Sequence, residues 1–354
     1  MNIEPLPVIE IRGGPRQRGR QQGKAARTKI LRALNRYRDL IPMATNLTWE
    51  EAQREARKFL PYAEGSFPTF VEELRGLAEG AEVPFQEAWT INCYEGLLEV
   101  EDQVWGCTVL SVGPEHTADG HVLLAHNEDW SSVDRGNAYL VRAHPDDGPA
   151  FLGMTYGPLL VNIGFNAAGI GVAINSVYPT DGRVGVPRVL CSRAVLGSNT
   201  IGKAIRACVP KLRAGGYAYT LVDPHGELYH VETSATTHDI RYGEEGWMAH
   251  TNHYLSPKMQ SLEEAGTYSS SHVRLNRARK LLRKELGQVT VETLQAILRD
   301  HVNFPDSICA HEDPEDPPHE RGATIASLVM DITAGVMWAA PGPPCQGEYV
   351  AHPL

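Results

Sequence analysis

The sequence predicts an α+β fold in which two antiparallel sheets stack face to face between layers of helices, a four-layer αββα sandwich behind a helical N-terminal segment. Three observations predict it. The first hundred residues carry apolar positions at helical spacing, short β-rich runs begin at Cys107, and pairs of helical segments return between the strand groups.

Ala25 to Ile41 sets Ile30, Leu31, Leu34, Tyr37, Leu40 and Ile41 on one stripe at three- and four-residue steps. Thr48 opens the next helix, and Glu51 three residues on completes a capping box. Phe67 to Leu77 and Phe85 to Val100 repeat the amphipathic pattern. The character changes at Trp105. From Cys107 to Ser176 follow the runs CTVLSV, HVLLAH, AYLVRAH, AFLGMTY, LLVNIGF and GIGVAIN, with the turn pairs Asp119-Gly120 and Ala168-Gly169 between such runs. Several runs are nearly all apolar, as expected of strands covered on both faces.

Residues 187–213 read as two helices broken near Gly197-Ser198-Asn199. Strands resume as YAYTLVD, ELYHVET and WMAHTNH. Two helices follow at about 271–286 and 290–301, the second opened by Thr290. An acidic, Pro-rich loop from His311 to Glu320 leads to the strands TIASLVMDI and GVMWAAP. No internal repeat or flexible linker divides the chain, so one structural domain is expected.

Composition narrows the functional classes. The 354 residues are 42% hydrophobic and 21% charged, a balance that can bury a sizeable core. A formal net charge of −10 opposes a nucleic-acid surface, which needs clustered cations. The one basic cluster, Arg274 to Lys284, reads as a solvated helix face. No run approaches the ~20 apolar residues of a membrane span, and MNIEPLPVIEIRGG lacks the apolar core of a signal peptide. The six cysteines, Cys93, Cys107, Cys191, Cys208, Cys309 and Cys345, form no CxxC pair. Reduced thiols and a cytoplasmic location are the expectation.

Cys107 carries the chemical hint. A free Cys on a strand is commonly a small core residue, but this one follows Gly106 at the junction where helix gives way to the first core strand. Gly106 would let the thiol approach its carbonyl, and Thr108 could set a hydroxyl beside it. Attack by Cys107 on Gly106 would give a thioester, and hydrolysis would free the Cys107 α-amine. That amine, with a pKa near ~7.7, suits the role of base at neutral pH. Nucleophile and base would then share one residue.

Gly106-Cys107-Thr108, the run His126-Asn127-Glu128-Asp129-Trp130, the run Gly164 to Ile170 with Asn175 beyond, and Thr251-Asn252-His253 together resemble the acyl-coenzyme A:isopenicillin N acyltransferase family. Gly14, Gly19 and Gly23 are similar to its N-terminal signature, and the likeness runs nearly the whole chain in order. The resemblance implies a self-processing N-terminal-nucleophile hydrolase related to penicillin V acylases and bile-salt hydrolases. It implies cleavage between Gly106 and Cys107 into a helical pro-segment, 1–106, and a catalytic segment, 107–354, paired as a heterodimer. It further implies that Asp129 holds the Cys107 amine, that Asn252 and Asn175 serve the oxyanion, and that Arg321 supports the nucleophile. His126 stands where bile-salt hydrolases have Arg, which makes it, with Trp130 and Thr108, a possible pocket residue.

Plainer readings stand beside these. Asp129 alone could be a turn carboxylate, and Asn175 a strand-end turn residue. Asn166 reads as a turn residue before Gly169. Trp130, Tyr156 and Tyr178 could line an acyl pocket or fill core. His250 and His253 lack companions at metal-ligand spacing, so no metal is expected. His311 and His319 flank a solvated loop that could act as a lid, and Gly13, Gly14 and Gly19 precede no Lys-Ser/Thr and make no phosphate loop.

The leading function is hydrolysis of a small N-acyl or peptide-like amide through an acyl-Cys107 thioester. The alternative within the same chemistry passes the acyl group to an amine such as a β-lactam nucleus, with a coenzyme A thioester as donor substrate. No cofactor is expected, and a homo-oligomer is possible. A papain-like protease with His253 as base is a more distant alternative, since papain-type nucleophiles start a helix. A non-catalytic binding protein on the same scaffold is a third class.

Overall fold

The computed structural model describes residues 4–97, 106–131, 134–264, 266, 269–317 and 321–354. Val100, Trp105 and His319, which figured in the expectations above, lie outside them. The N-terminal segment opens with a strand, β1 (Val8–Gly13). Six helices follow: α1 (Pro15–Ala25), α2 (Arg27–Ala44), α3 (Trp49–Arg57), α4 (Leu60–Ser66), α5 (Pro68–Ala81) and α6 (Phe85–Asn92). The segment expected to be wholly helical thus contributes a strand as well.

Strands β2 (Thr108–Val112), β3 (Leu123–Ser131), β4 (Ala138–Pro145), β5 (Phe151–Tyr156), β6 (Ile163–Asn166) and β7 (Gly171–Ser176) come next. Helices α7 (Arg188–Leu196) and α8 (Ile201–Cys208) precede β8 (Tyr217–Val222), β9 (Leu228–Thr233), β10 (His238–Tyr242) and β11 (Trp247–His250). The chain ends with α9 (Pro257–Gln260), α10 (Ser269–Glu285), α11 (Val291–Leu298), β12 (Gly322–Asp331), β13 (Val336–Pro341) and β14 (Val350–Pro353).

Among the described residues these strands make two sheets. One has eight strands in the order β1-β4-β5-β6-β7-β8-β9-β10, the other six in the order β11-β2-β3-β12-β13-β14. Every pairing is antiparallel except β1 with β4, which run parallel from Val8 opposite Leu140 to Gly13 opposite Pro145. Leu124 of β3 and Ile332, just past β12, pack on Gly171 of β7, so the main core lies between the sheets. Helices α7 and α8 cover the eight-stranded sheet, and α10 and α11 cover the six-stranded one. The αββα layering follows.

Local chemistry explains the helix starts. Thr48 accepts from the Glu51 N–H while Glu51 caps Thr48 in return, and Thr290 makes the corresponding pair with Thr293. Helices α1 and α5 meet glycine against glycine. A Cβ on Gly19 would lie 1.9 Å from the Glu73 carbonyl oxygen, and one on Gly76 would lie 2.2 Å from that of Arg16. Of the N-terminal signature, Gly19 and Gly23 are therefore a packing surface, whereas Gly14 has open space beside it. Beside that contact, Glu73 is fully buried between Arg18 and Arg193, each at 3.0 Å.

Candidate active site

Strand alternation sorts the functional residues of β3. Leu124 and Trp130 join the core between the sheets, whereas Leu123 and Ala125 join the cluster beneath α10 and α11. His126 and Glu128 share the first face, and Asn127 and Asp129 the second. Cys107, at the head of β2, is buried and points toward the first face. Its Sγ–H donates to Glu128 Oε2 at 3.3 Å.

Glu128 is held on three sides. His126 Nε2–H donates to Oε2 at 2.8 Å, and the Tyr156 hydroxyl donates to Oε1 at 3.1 Å. Burial pushes the Cys107 thiol well above its ordinary range, and the charges of Glu128 and Asp129 push the same way. The thiol is therefore protonated at neutral pH and needs a proton acceptor to react. Glu128 is the carboxylate within reach of it.

The backbone at Cys107 is fixed by a second set of groups. Asn175 Nδ2, from β7, donates to the Cys107 carbonyl at 2.9 Å, and Arg274 Nη1, from α10, donates to it at 2.8 Å. Arg274 also donates to Thr108 Oγ1 at 3.2 Å and to Asn252 Oδ1 at 3.1 Å. Asn252 Nδ2 donates to the Ser176 carbonyl at 3.0 Å, and its backbone N–H donates to Ser271 Oγ at 2.8 Å. Gly106 is wedged against this group. A Cβ there would lie 2.2 Å from Asn252 Oδ1 and 2.4 Å from Arg274 Nη2, so only glycine fits ahead of Cys107 without a shift.

Asp129 sits on the other face. Thr324 donates to its Oδ1 at 2.6 Å, while the buried Oδ2 has no hydrogen-bond partner. Burial raises its carboxyl well above the usual carboxylate range, against the opposing pull of Arg274 and Thr324. A cavity of about 30 Å³ joins Gly106, Asp129 and Arg274. Oδ2 is thus a buried acceptor left without a donor, on a residue that lines the same small space as Gly106.

Cys107, Asp129, Asn175 and Asn252 therefore converge, but three expectations need correction. Arg321 turns to its own loop, donating to the Asp316 and Pro314 carbonyls at 2.9 Å each, and Arg274 holds the Cys107 carbonyl instead. His126 and Thr108 are fully buried and occupied by Glu128 and Arg274, so neither presents its side chain to solvent. The solvated-face reading of Arg274 also fails. Ser271, Arg274, Leu275, Ala278 and Leu282 form the buried stripe of α10, and that helical phase was present in the sequence. Glu128 is not singled out by the sequence, where it is one residue of the run His126 to Trp130.

His253, the base of the papain-like alternative, donates or accepts at Ser271 Oγ at 2.7 Å and stacks on His272. Burial lowers it to about 3, and Cys107 opens a strand, so both marks of a papain-type site are missing. Asn166 is a turn residue, accepting from the Ala168 and Ile170 N–H groups. Tyr156 serves Glu128, whereas Tyr178 lines a cleft of about 980 Å³ with Glu95, Arg188 and Asn92. Glu95 and Asn92 also line a small aromatic cavity with Trp130, Tyr156 and Tyr217, so the cleft and that cavity share a wall. No helix among the described residues is long and apolar enough to cross a membrane.

Known proteins resemble the chain over most of its length. It is 27% identical over 330 residues to the 40 kDa form of acyl-coenzyme A:6-aminopenicillanic-acid-acyltransferase of Emericella nidulans, covering 91% of this chain and 89% of that protein. It is 26% identical over 258 residues to the β-alanyl-dopamine/carcinine hydrolase of Drosophila melanogaster, 65% of either chain. The crystal structure of a mutant conjugated bile acid hydrolase from Clostridium perfringens superposes with a TM-score of 0.50 at 12% identity, covering 70% of this chain and 92% of that one. That likeness shows the N-terminal-nucleophile hydrolase fold. The chain is an enzyme of acyl and amide chemistry, and the family model for acyl-coenzyme A:6-aminopenicillanic acid acyl-transferase matches residues 116–345. The chain belongs to that family.

Proposed function

We propose that the chain is a self-cleaving amidohydrolase that uses Cys107 as N-terminal nucleophile on the amide of a small N-acyl compound. The observation that carries this reading is the seat of the Gly106–Cys107 peptide. The thiol rests on Glu128 at 3.3 Å, and Gly106 is pressed between Asn252 and Arg274.

In the continuous chain, Cys107 Sγ attacks the Gly106 carbonyl carbon as its proton passes to Glu128. The proton then reaches the departing Cys107 nitrogen, the peptide bond breaks, and a Gly106–Cys107 thioester remains. Water hydrolyses the thioester, giving the Gly106 carboxylate and a free Cys107 α-amine. Asn175 and Arg274 keep the Cys107 carbonyl fixed throughout. The unpartnered Oδ2 of Asp129 receives the new amine, and the amine takes the thiol proton in each later turnover. Substrate acyl groups pass through a Cys107 thioester to water, with Arg274 Nη2 the donor that faces Gly106. Asn252 spends its Nδ2 on the Ser176 carbonyl and accepts from Arg274 at Oδ1. No cofactor enters this chemistry.

Acyl transfer is the second reading. The Emericella nidulans relative, matched over 91% of this chain, is named for transfer from acyl-coenzyme A to 6-aminopenicillanic acid. An amine in the cleft beside Glu95 would replace water as acceptor, and an acyl-coenzyme A would enter as substrate.

Intact-mass and N-terminal analysis of wild type beside Cys107→Ala tests the proposal. Fragments 1–106 and 107–354 are expected from wild type and one full-length chain from the variant. A wild-type chain that stays whole while hydrolysing amides would exclude the N-terminal-amine mechanism. N-acyl substrates assayed with and without added amines separate hydrolysis from transfer.

A further inference from the structure

Away from the catalytic centre, four side chains from three separate stretches of sequence converge near the ends of the six-stranded sheet. His301 follows α11, Cys309 and His311 lie in the loop before β12, and Cys345 lies between β13 and β14. His311 Nε2 is 3.2 Å from His301 Nε2, 3.3 Å from Cys345 Sγ and 3.6 Å from Cys309 Sγ. All four ligand-capable atoms lie within 4.8 Å of one another.

Hydrogen bonding does not account for this arrangement. A neutral imidazole nitrogen offers one proton or one lone pair, so His311 Nε2 can serve one of its three neighbours. A cation among the four atoms serves all of them. With ~2.0–2.1 Å to nitrogen and ~2.3 Å to sulfur, a tetrahedral zinc site has ligand atoms ~3.3 Å apart for two nitrogens and ~3.6 Å apart for nitrogen and sulfur. Around His311 the nitrogen–nitrogen separation of 3.2 Å and the 3.6 Å to Cys309 lie close to those values, and the 3.3 Å to Cys345 is somewhat shorter. We propose that His301 Nε2, Cys309 Sγ, His311 Nε2 and Cys345 Sγ bind one Zn²⁺ in a closed Cys2His2 site, with both thiols giving up their protons.

Such a site is structural, because four protein ligands leave no open position for a substrate. Cys309 is buried while His301 and Cys345 are exposed, so the ion has a path in from solvent. The clamp also reaches the active site. Between Cys309 and His311, the Ala310 N–H donates to Thr324 Oγ1 at 3.1 Å, and that hydroxyl holds Asp129. Ala310 and His311 line the cavity shared by Gly106, Asp129 and Arg274. Zinc would thus join the C-terminal loop to the wall behind Asp129.

The test is the metal content of the purified full-length chain after one equivalent of Zn²⁺ and passage through a desalting column. One zinc per chain is expected. Cobalt substitution should give the intense visible bands of a tetrahedral ion and a thiolate-to-metal charge-transfer band. X-ray absorption should show two sulfurs at ~2.3 Å and two nitrogens at ~2.0–2.1 Å. Cys345→Ser and His301→Ala, both at exposed positions, should weaken zinc binding at least as much as the ~10–100-fold typical of changes to outer-shell partners. A competing dye reads that change, and circular dichroism confirms that both variants are folded. Three results would overturn the site: a chain that retains no zinc, folded variants that retain it as wild type does, or a mass two hydrogens lighter from a Cys309–Cys345 disulfide.

Discussion

The Cys107 thiol donates to a carboxylate, Glu128, that is itself fastened by His126 and Tyr156. A thiol held above its ordinary range is protonated at neutral pH, so first attack on Gly106 should quicken as pH rises toward that range. Glu128→Gln keeps the shape and removes the proton acceptor. Cleavage of freshly made precursor, followed by intact mass, should slow by roughly 10²-fold or more. Cleavage at the wild-type rate would remove Glu128 from the mechanism.

Gly106→Ala tests the fit of the scissile peptide. The new methyl would meet Asn252 Oδ1 at 2.2 Å and Arg274 Nη2 at 2.4 Å, closer than ordinary contact. The precursor should accumulate uncut, although the thiol is intact. Electrophoresis of the purified variant over time reads this outcome directly.

Two arginines can be separated by the same assay. Arg274→Gln removes donors to the Cys107 carbonyl, Thr108 and Asn252, and should arrest processing. Among the described residues Arg321→Gln loses bonds to the Asp316 and Pro314 carbonyls, away from Cys107, and should process normally. Arrest in the second variant with normal processing in the first would reverse the assignment.

Much of this site was legible before any coordinates. The helix-to-strand junction marked Cys107, and capping residues Thr48 and Thr290 marked helix starts. The apolar run HVLLAH ends at His126, and the polar Asn127, Glu128 and Asp129 after it carry no strand signal. They continue β3 as buried polar groups instead. Each is compensated by a partner distant in sequence, such as Thr324 for Asp129 and the Leu298 and Ile308 carbonyls for Asn127. Arg274 was hidden by its charged neighbours, although its helical phase placed it on the buried stripe. The His301, Cys309, His311 and Cys345 cluster had no motif spacing, since three loops assemble it.

Asp134 supplies a pH signature of stability. It is buried, and burial raises its carboxyl to about 6 against hydrogen bonds from Tyr37 and Asn137. The folded value lies above the unfolded value of ~3.9, so the stabilisation is present in full below ~3.9 and is lost as pH rises through about 6. The difference amounts to roughly 3 kcal/mol at ~1.36 kcal/mol per unit. In Asp134→Asn this component is absent. Wild-type stability minus variant stability, from denaturant unfolding at a series of pH values, should fall across that interval and level off above it.

Glu73 should be among the least replaceable buried charges. Glu73→Gln leaves Arg18 and Arg193 facing each other with their shared carboxylate gone, although Arg18 keeps Asp147. A loss of about 3–5 kcal/mol is expected, read as a lower denaturant midpoint.

The parallel pairing of β1 with β4 would give the proposed processing a lasting consequence. Cutting before Cys107 would leave β1 on one fragment and β4 on the other, still zipped along Val8 to Gly13. Cleavage would therefore free a chain end without freeing a chain. It would also erase the covalent record of how the two pieces met. The precursor folds as a single molecule at a rate independent of concentration. A matured enzyme, once unfolded, would have to find its other half by collision. The fold would be easy to reach once and hard to reach again.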